Sequence, residues 1–90
     1  MRTRRERLSH LTDDLRADFL LELAKTHAMY AHEYRLLAKA HEDQDETLLQ
    51  LMSDRDELDA RYVRHMVGLC RRYGVPFNEA EFRASMESIA

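Results

Sequence analysis

The first 67 residues of this 90-residue chain contain neither glycine nor proline, which restricts the possible folds more than any other feature. Proline removes a backbone donor and glycine weakens helices, so their absence leaves long helices uninterrupted. Phosphate-binding loops need glycines at fixed spacing, and neither the P-loop nor the GxGxxG fingerprint is present. We therefore expect long helices and no nucleotide site of these two kinds.

Apolar and aromatic residues recur every three or four positions in two runs, which is the spacing of one face of an α-helix. The first run comprises Leu8, Leu11, Leu15, Phe19, Leu23, His27, Tyr30, Tyr34, Leu37 and His41. The second run comprises Leu48, Leu51, Met52, Leu58, Tyr62, Met66, Leu69 and Tyr73. No segment alternates as a strand would, so the sequence predicts an all-α fold built on a long antiparallel helical hairpin.

The helices and the arm that precedes them are expected to form one domain over residues 1–90. We place a basic arm at 1–8 and helices at about 9–42, 45–73 and 79–88.

Polar residues near the N-terminus offer three possible starts for the first helix. Ser9 or Thr12 can cap it, because a hydroxyl oxygen accepts a hydrogen bond from the first turn. Thr3 and Glu6 have the spacing of a capping box and would start the helix further upstream.

The connection between the two long helices is expected near residues 42–45. Asp43 and Glu46 have capping-box spacing, so a helix can restart there. Two alternatives remain open because no glycine or proline forces a turn: a restart within residues 53–58, or one continuous helix of about 65 residues.

The segment RRYGVPFNEAEF marks the clearest boundary in the chain. Gly74 has the position of a C-terminal cap, and a proline follows two residues later. Asn78 and Glu81 have the spacing of a helix start, and Phe77 and Phe82 can pack across it as a hydrophobic staple. We expect a short third helix that folds back on the open end of the hairpin.

Three histidines and two tyrosines lie within residues 27–41. His27, Tyr34 and His41 share one helix face, and a hairpin would bring His65 towards them. Imidazole binds zinc, copper and iron, so a metal site of His27, His41 and His65 is an alternative hypothesis. The Glu-x-x-His motif of di-iron bundles is absent, and we prefer a seam between packed helices without cofactor or metal.

The histidines of such a seam are expected to be largely buried and uncharged near neutral pH. Burial disfavours the charged imidazolium of His27, His41 and His65. Stability is therefore expected to decline in acid, unless a carboxylate partner compensates.

Catalytic chemistry has little support in the sequence. No nucleophile lies beside a recognisable base, and no acid and base are paired at helical spacing. Cys70 is the single cysteine, which excludes an internal disulfide and fits a reduced cytoplasmic setting. No apolar run approaches the roughly 20 residues needed to span a membrane. We expect a cytoplasmic protein that is not an enzyme.

Charge is divided unevenly along the chain. Residues 1–7 carry four arginines and one glutamate, residues 42–59 have a net charge of −7, and residues 61–72 carry four arginines. The arginines of the N-terminal arm are Arg2, Arg4, Arg5 and Arg7. They can contact phosphates or an acidic protein surface, but no aromatic residue is interleaved with them and the whole chain is acidic. Nucleic acid is therefore an alternative partner and not the preferred one.

The apolar faces are broader than a two-helix contact can cover. Residues 19–23 spread apolar side chains around most of the first helix, and Leu48, Leu49, Leu51 and Met52 crowd two turns of the second. A helix with one partner buries a single stripe, so a second chain is expected to complete a four-helix bundle.

An antiparallel twofold homodimer is the expected arrangement, because it places each acidic segment near the arginines of the other chain. The expected seam residues are His27, Tyr30, Tyr34, His41, Tyr62 and Met66. The preferred functional hypothesis is a non-enzymatic interaction protein that serves as adaptor, regulator or inhibitor of a larger protein.

Overall fold

The computed structural model describes residues 8–43 and 47–89, and within these ranges it contains helices and no strand. Helix α1 spans Asp13–Asp43, α2 spans Leu48–Tyr73 and α3 spans Glu79–Ile89. The all-α prediction with two long helices and one short helix is confirmed. No helix in the described ranges has an apolar stretch long enough to cross a bilayer.

Helix α1 begins at Asp13, four residues after the placement at about residue 9, and its cap is Thr12, one of the three possible starts. The Thr12 side-chain oxygen accepts a hydrogen bond from the Leu15 amide at 3.3 Å. Before the cap, the chain turns at Leu8–Leu11, with the Leu11 amide 3.1 Å from the Leu8 carbonyl oxygen. Both leucines are buried, so Leu8 belongs to the folded body. The alternative start at residues 3–6 lies outside the described residues.

Helix α2 begins at Leu48, where Thr47 provides the cap. Its hydroxyl oxygen accepts a hydrogen bond from the Gln50 amide at 3.2 Å. A restart within residues 53–58 is wrong, because that segment lies inside α2. The continuous-helix alternative is also wrong, since α1 ends at Asp43 and α2 packs back against it. The proposed Asp43–Glu46 box lies partly outside the described residues.

Gly74 ends α2 as the sequence predicts. Its φ of 65° is left-handed, and its amide and that of Val75 bond to the carbonyl oxygens of Arg71 and Cys70 at 3.2 and 2.8 Å. His10 Nε2 also lies 3.2 Å from the Tyr73 carbonyl oxygen. The last carbonyls of α2 are therefore capped by both local turns and the N-terminal segment.

Asn78 starts α3, as its spacing to Glu81 predicts. The Asn78 side-chain oxygen accepts a hydrogen bond from the Glu81 amide at 3.0 Å. The rings of Phe77 and Phe82 lie 5.4 Å apart, which confirms the hydrophobic staple. Together these contacts fix the direction in which α3 leaves the loop.

The two long helices pack antiparallel in a constant register. Phe19 lies against Tyr73 with ring centroids 5.4 Å apart, and further along His41 Nε2 lies 3.1 Å from Asp54 Oδ2. Helix α3 lies on one side of this hairpin, which we call the front. Phe82 contacts Tyr62 at 4.9 Å between ring centroids, so α3 runs from the open end towards the middle.

The buried residues all lie in the half of the hairpin that α3 covers. The buried cluster comprises Leu8, Leu11, Phe19, Tyr30, Leu58, Tyr62, Met66, Leu69 and Cys70. Among the described residues between Ala31 and Glu57, no apolar residue is buried. We call the covered half the base and the half that contains the α1–α2 turn the tip.

Candidate functional site

An aromatic cluster joins the three helices at the middle of the hairpin. Tyr30 of α1 and Tyr62 of α2 are stacked, with ring centroids 4.4 Å apart and an interplanar angle of 7°. His27 meets the Tyr62 ring edge-on at 5.8 Å, and His65 meets the Tyr30 ring edge-on at 5.6 Å. Phe82 adds a contact from α3, so the cluster fixes all three helices to one another.

The hydroxyl groups of this cluster are hydrogen bonded across the helices. The Tyr62 hydroxyl bonds to His27 Nδ1. The Tyr30 hydroxyl donates to the Arg61 carbonyl oxygen at 3.3 Å and lies 3.3 Å from His65 Nδ1. These bonds give hydrogen-bond partners to polar atoms that packing would otherwise separate from water.

Tyr34 lies where the aromatic cluster meets the open half of the hairpin. Its hydroxyl donates to Asp59 Oδ1 and lies 3.8 Å from Met86 Sδ. Burial raises the pKa of Tyr34 above its ordinary value, and the hydrogen bond and negative charge of Asp59 raise it further. Burial, followed by the neighbouring Tyr30, also raises the pKa of Tyr62. Both phenols are therefore held in their neutral form.

The three histidines of the metal hypothesis lie at separate places. His27 bonds Tyr62, His65 lies against Tyr30, and His41 lies against Asp54 near the turn. The described residues contain no group of three or more histidine, cysteine, aspartate or glutamate side chains that would hold a metal ion. These contacts instead hold the helices together.

The expected burial of the histidines is found for the His41 side chain but not, in the single chain, for His27 and His65. The latter two are exposed, and each ring meets a tyrosine ring edge-on. The His41 side chain is only 8% exposed, but it lies against the carboxylate of Asp54.

The front of the tip contains an open apolar groove of about 820 Å³. We call it the tip groove. Its apolar walls are formed by Ala31, Leu37, Ala38, Leu48, Leu51, Met52 and Met86. Its polar lining is formed by His27, Tyr34, Arg55, Asp59 and Tyr62. Leu48 and Met52 are 71% and 53% exposed, so the groove is uncovered along its α2 wall.

A second group of exposed apolar side chains lies on the outside of α1, away from the tip groove. We call Leu21, Met29 and Leu36 the outer stripe; they are 55%, 45% and 48% exposed. Their spacing of eight and seven residues places them near one side of the helix. None of the three residues of the outer stripe lines the tip groove.

No protein-family model, curated protein or solved structure matched the chain. The functional argument therefore depends on the surfaces and contacts of this chain alone. The tip groove is the candidate site, because it combines the largest described concavity with strongly exposed apolar side chains.

The expected dimer-seam residues divide into two groups. Tyr30, Tyr62 and Met66 are only 5–8% exposed in the single chain, so they already belong to its own core. His27 and Tyr34 line the tip groove, while His41 lies beside Asp54 near the turn. Only the second group lies at the open half of the hairpin.

The remaining candidate residues are the arginines of the N-terminal arm and Cys70. Arg2, Arg4, Arg5 and Arg7 lie outside the described residues. Cys70 is 4% exposed and lies among the core side chains.

Sequence reasoning did not identify Asp59 and Asp54 as partners of Tyr34 and His41. Both carboxylates lie within an acidic run, where the sequence gives no sign that two of them face the other helix. Asp54 lies one helical turn after Leu51 and Asp59 directly follows Leu58, and this placement next to the apolar face is the signal that could have marked them.

Proposed function

We propose that this chain is a small, non-enzymatic helical interaction protein that acts as a homodimer. In this role it would serve as an adaptor, regulator or inhibitor of a larger protein. The proposal rests on one observation, the amount of apolar surface that the single chain leaves uncovered. The large apolar side chains that are exposed in the described residues are Leu15, Leu20, Leu21, Met29, Leu36, Leu48, Leu49 and Met52.

Exposed apolar area of this extent is uncommon on a small soluble monomer. Single apolar side chains on a surface need no explanation, but contiguous ones mark interaction surfaces. Leu48, Leu49 and Met52 lie within two turns of α2, and Leu48 and Met52 line the same groove. A partner helix that covers them would bury their apolar surface, as α3 buries the apolar surface of the base.

The polar groups at the groove favour structural roles over catalysis. Asp59 accepts the Tyr34 hydroxyl hydrogen bond, and His27 bonds the Tyr62 hydroxyl. Each of these pairs links two helices, which explains its presence without a substrate.

Analytical ultracentrifugation of the untagged chain over a wide concentration range tests the homodimer. We expect a particle of twice the 10.7 kDa chain mass at micromolar concentration and dissociation on dilution. Circular dichroism at the lowest concentration would show whether the dissociated chain keeps its helices. The homodimer is contradicted if the chain remains a folded monomer up to roughly millimolar concentration. Dimer formation would then be favourable by only about 4 kcal/mol or less.

A further inference from the structure

We infer that the tip groove is the dimer interface, and that two chains overlap only at their tips, antiparallel, each inserting its Leu48–Met52 ridge into the other's groove. This inference rests on the proposed homodimer and adds the surface, the orientation and the register. The outer stripe of α1 would then lie outside the contact.

The tip groove continues the channel that α3 occupies in the base. In the base, the gap between α1 and α2 is filled from the front by Phe77, Phe82 and Met86. Helix α3 ends just beyond Met86, which contacts Tyr34 and lines the tip groove. The channel therefore has one half filled by a helix and one half open, and its open half suits another helix.

The two sides of the open half differ in exposure, because Leu37 is half-buried whereas Leu48 and Met52 are strongly exposed. Leu37 and Ala38 form a floor on α1, and the exposed side chains of Leu48 and Met52 form a ridge on α2. A twofold axis near the middle of the groove places the Met52 end of each ridge over the floor of the other chain and the Leu48 end near that chain's Tyr62, which is the same contact made twice. A second copy can therefore supply both the cover and the side chains to be covered.

The extent of the groove sets the register of the overlap. Its α2 wall runs from Leu48 to Tyr62, a helical length of roughly 22 Å at 1.5 Å per residue. An antiparallel partner tip of the same length fills this wall and stops where Met86 and the end of α3 begin. The centre of the overlap, and therefore the twofold axis, falls near Arg55.

Charge favours the antiparallel orientation. The tip segment 42–59 has a net charge of −7, while residues 61–72 of α2 carry four arginines. Parallel tips would align the acidic segments along their whole length, whereas the antiparallel overlap directs each turn towards the basic part of the other chain. Arg55, which lines the groove, would lie near the axis between the two acidic segments.

Matched substitutions separate the tip groove from the outer stripe. Met52→Glu and Leu48→Glu place a charge in the groove, and Leu21→Glu and Leu36→Glu place the same charge on the outer stripe. All four positions are exposed helical sites in the single chain, so each variant should keep its helices. We expect the groove variants to raise the dimer dissociation constant roughly 30-fold or more, and the stripe variants to change it less than about threefold.

The neutral variant Met52→Gln controls for charge repulsion, since it removes apolar contact without adding a carboxylate. It should also weaken the dimer, although less than Met52→Glu. If the stripe variants dissociate the dimer and the groove variants do not, the inference is overturned while the proposed homodimer stands. A wild-type chain that is monomeric throughout overturns both.

Distances between spin labels test the orientation and the partial overlap. A label at Arg72→Cys, in a Cys70→Ala background, lies 17 residues from Arg55 along α2. Each label would lie 17 residues from the axis, at about 1.5 Å per residue along the helix. The tip overlap therefore predicts a separation of roughly 50 Å between the two labels. A separation of roughly 35 Å would indicate a seam along the whole hairpin, and one below about 25 Å a parallel pair. Either result overturns the tip overlap.

Discussion

The base and the tip of the hairpin are built from the same two helices, yet only the base has a core. At the base, Leu69 and Phe19 are 3% and 4% exposed, whereas at the tip Leu48 and Leu49 are 71% and 78% exposed. The difference does not come from a lack of apolar residues in the tip. It comes from the segments that pack onto the base and not onto the tip, namely the 11 residues of α3, which end at the middle, and the buried Leu8 and Leu11.

The contacts between the long helices also differ between the two halves. The base and the middle use aromatic rings, such as the stacked pair Tyr30 and Tyr62. The tip uses a polar contact, in which Asp54 of α2 lies 3.1 Å from His41 of α1, and Asp54 also accepts a hydrogen bond from Gln50 of its own helix at 3.0 Å. Partly exposed polar pairs contribute little to stability, so the tip depends on further burial more than the base does.

The largest expected effect is a difference between two equivalent leucine substitutions. Leu69→Ala removes a core side chain at the base, and we expect it to lower the free energy of unfolding by about 3–4 kcal/mol. Leu48→Ala shortens an exposed side chain at the tip. It should change the free energy of unfolding of the monomer by less than about 0.5 kcal/mol. Urea unfolding at a concentration below the dimer dissociation constant measures both.

Protein concentration sharpens the same comparison. If the tip is covered in a dimer, Leu48→Ala should become more destabilising as concentration rises, because the lost contact then lies between chains. Equal losses of stability from the two substitutions in the monomer would mean that Leu48 is buried within the single chain, which contradicts the exposed tip.

Much of the fold was predictable because its signals are local. The end of α2 at Gly74 and the start of α3 at Asn78 depend on residues within one turn of each boundary. The helical periodicity of the long runs is similarly local. The start of α1 was less certain, since Ser9 and Thr12 both suit a cap and only the packing of Leu8 and Leu11 at the base selects Thr12.

The candidate site was less predictable because it depends on where α3 ends in space. The sequence shows that Leu48, Leu49 and Met52 are crowded with apolar neighbours, but not that α3 stops short of them. For the same reason, the sequence placed Tyr30 and Tyr62 in a seam between chains, whereas they are stacked within one chain. Long-range contacts decide both features.

Alkaline pH should act on the junction between base and tip. The pKa values of Tyr34 and Tyr62 are raised in the folded chain, chiefly by burial. Above about pH 10, where unfolded tyrosine loses its proton, the unfolded state binds fewer protons than the folded state. The stability that these phenols contribute is therefore complete below about pH 10 and declines as pH rises through their folded pKa values.

Tyr34→Phe separates the contribution of Tyr34 from that of Tyr62. The variant keeps the ring but lacks the ionisable hydroxyl and its bond to Asp59. We expect its stability to fall less steeply between about pH 10 and 12 than that of the wild type, with both followed by urea unfolding. Parallel curves for the two proteins would show that the Tyr34 hydroxyl is not linked to folding.

The smallest expected effect compares the helix caps of the two regions. Asn78→Ala removes the cap of α3 at the base, and Thr47→Ala removes the cap of α2 at the tip. Loss of a cap typically costs about 1 kcal/mol, and Asn78→Ala should approach this value because α3 covers the core. Thr47→Ala should cost less in the monomer, since the first turn of α2 can fray without exposing a buried side chain.

In the Thr47→Ala variant, amide hydrogen exchange should be faster near Leu51 and unchanged near Leu69. Equal losses of global stability from the two variants would show that the tip unfolds together with the base, and that the two halves are one cooperative unit even without a second chain.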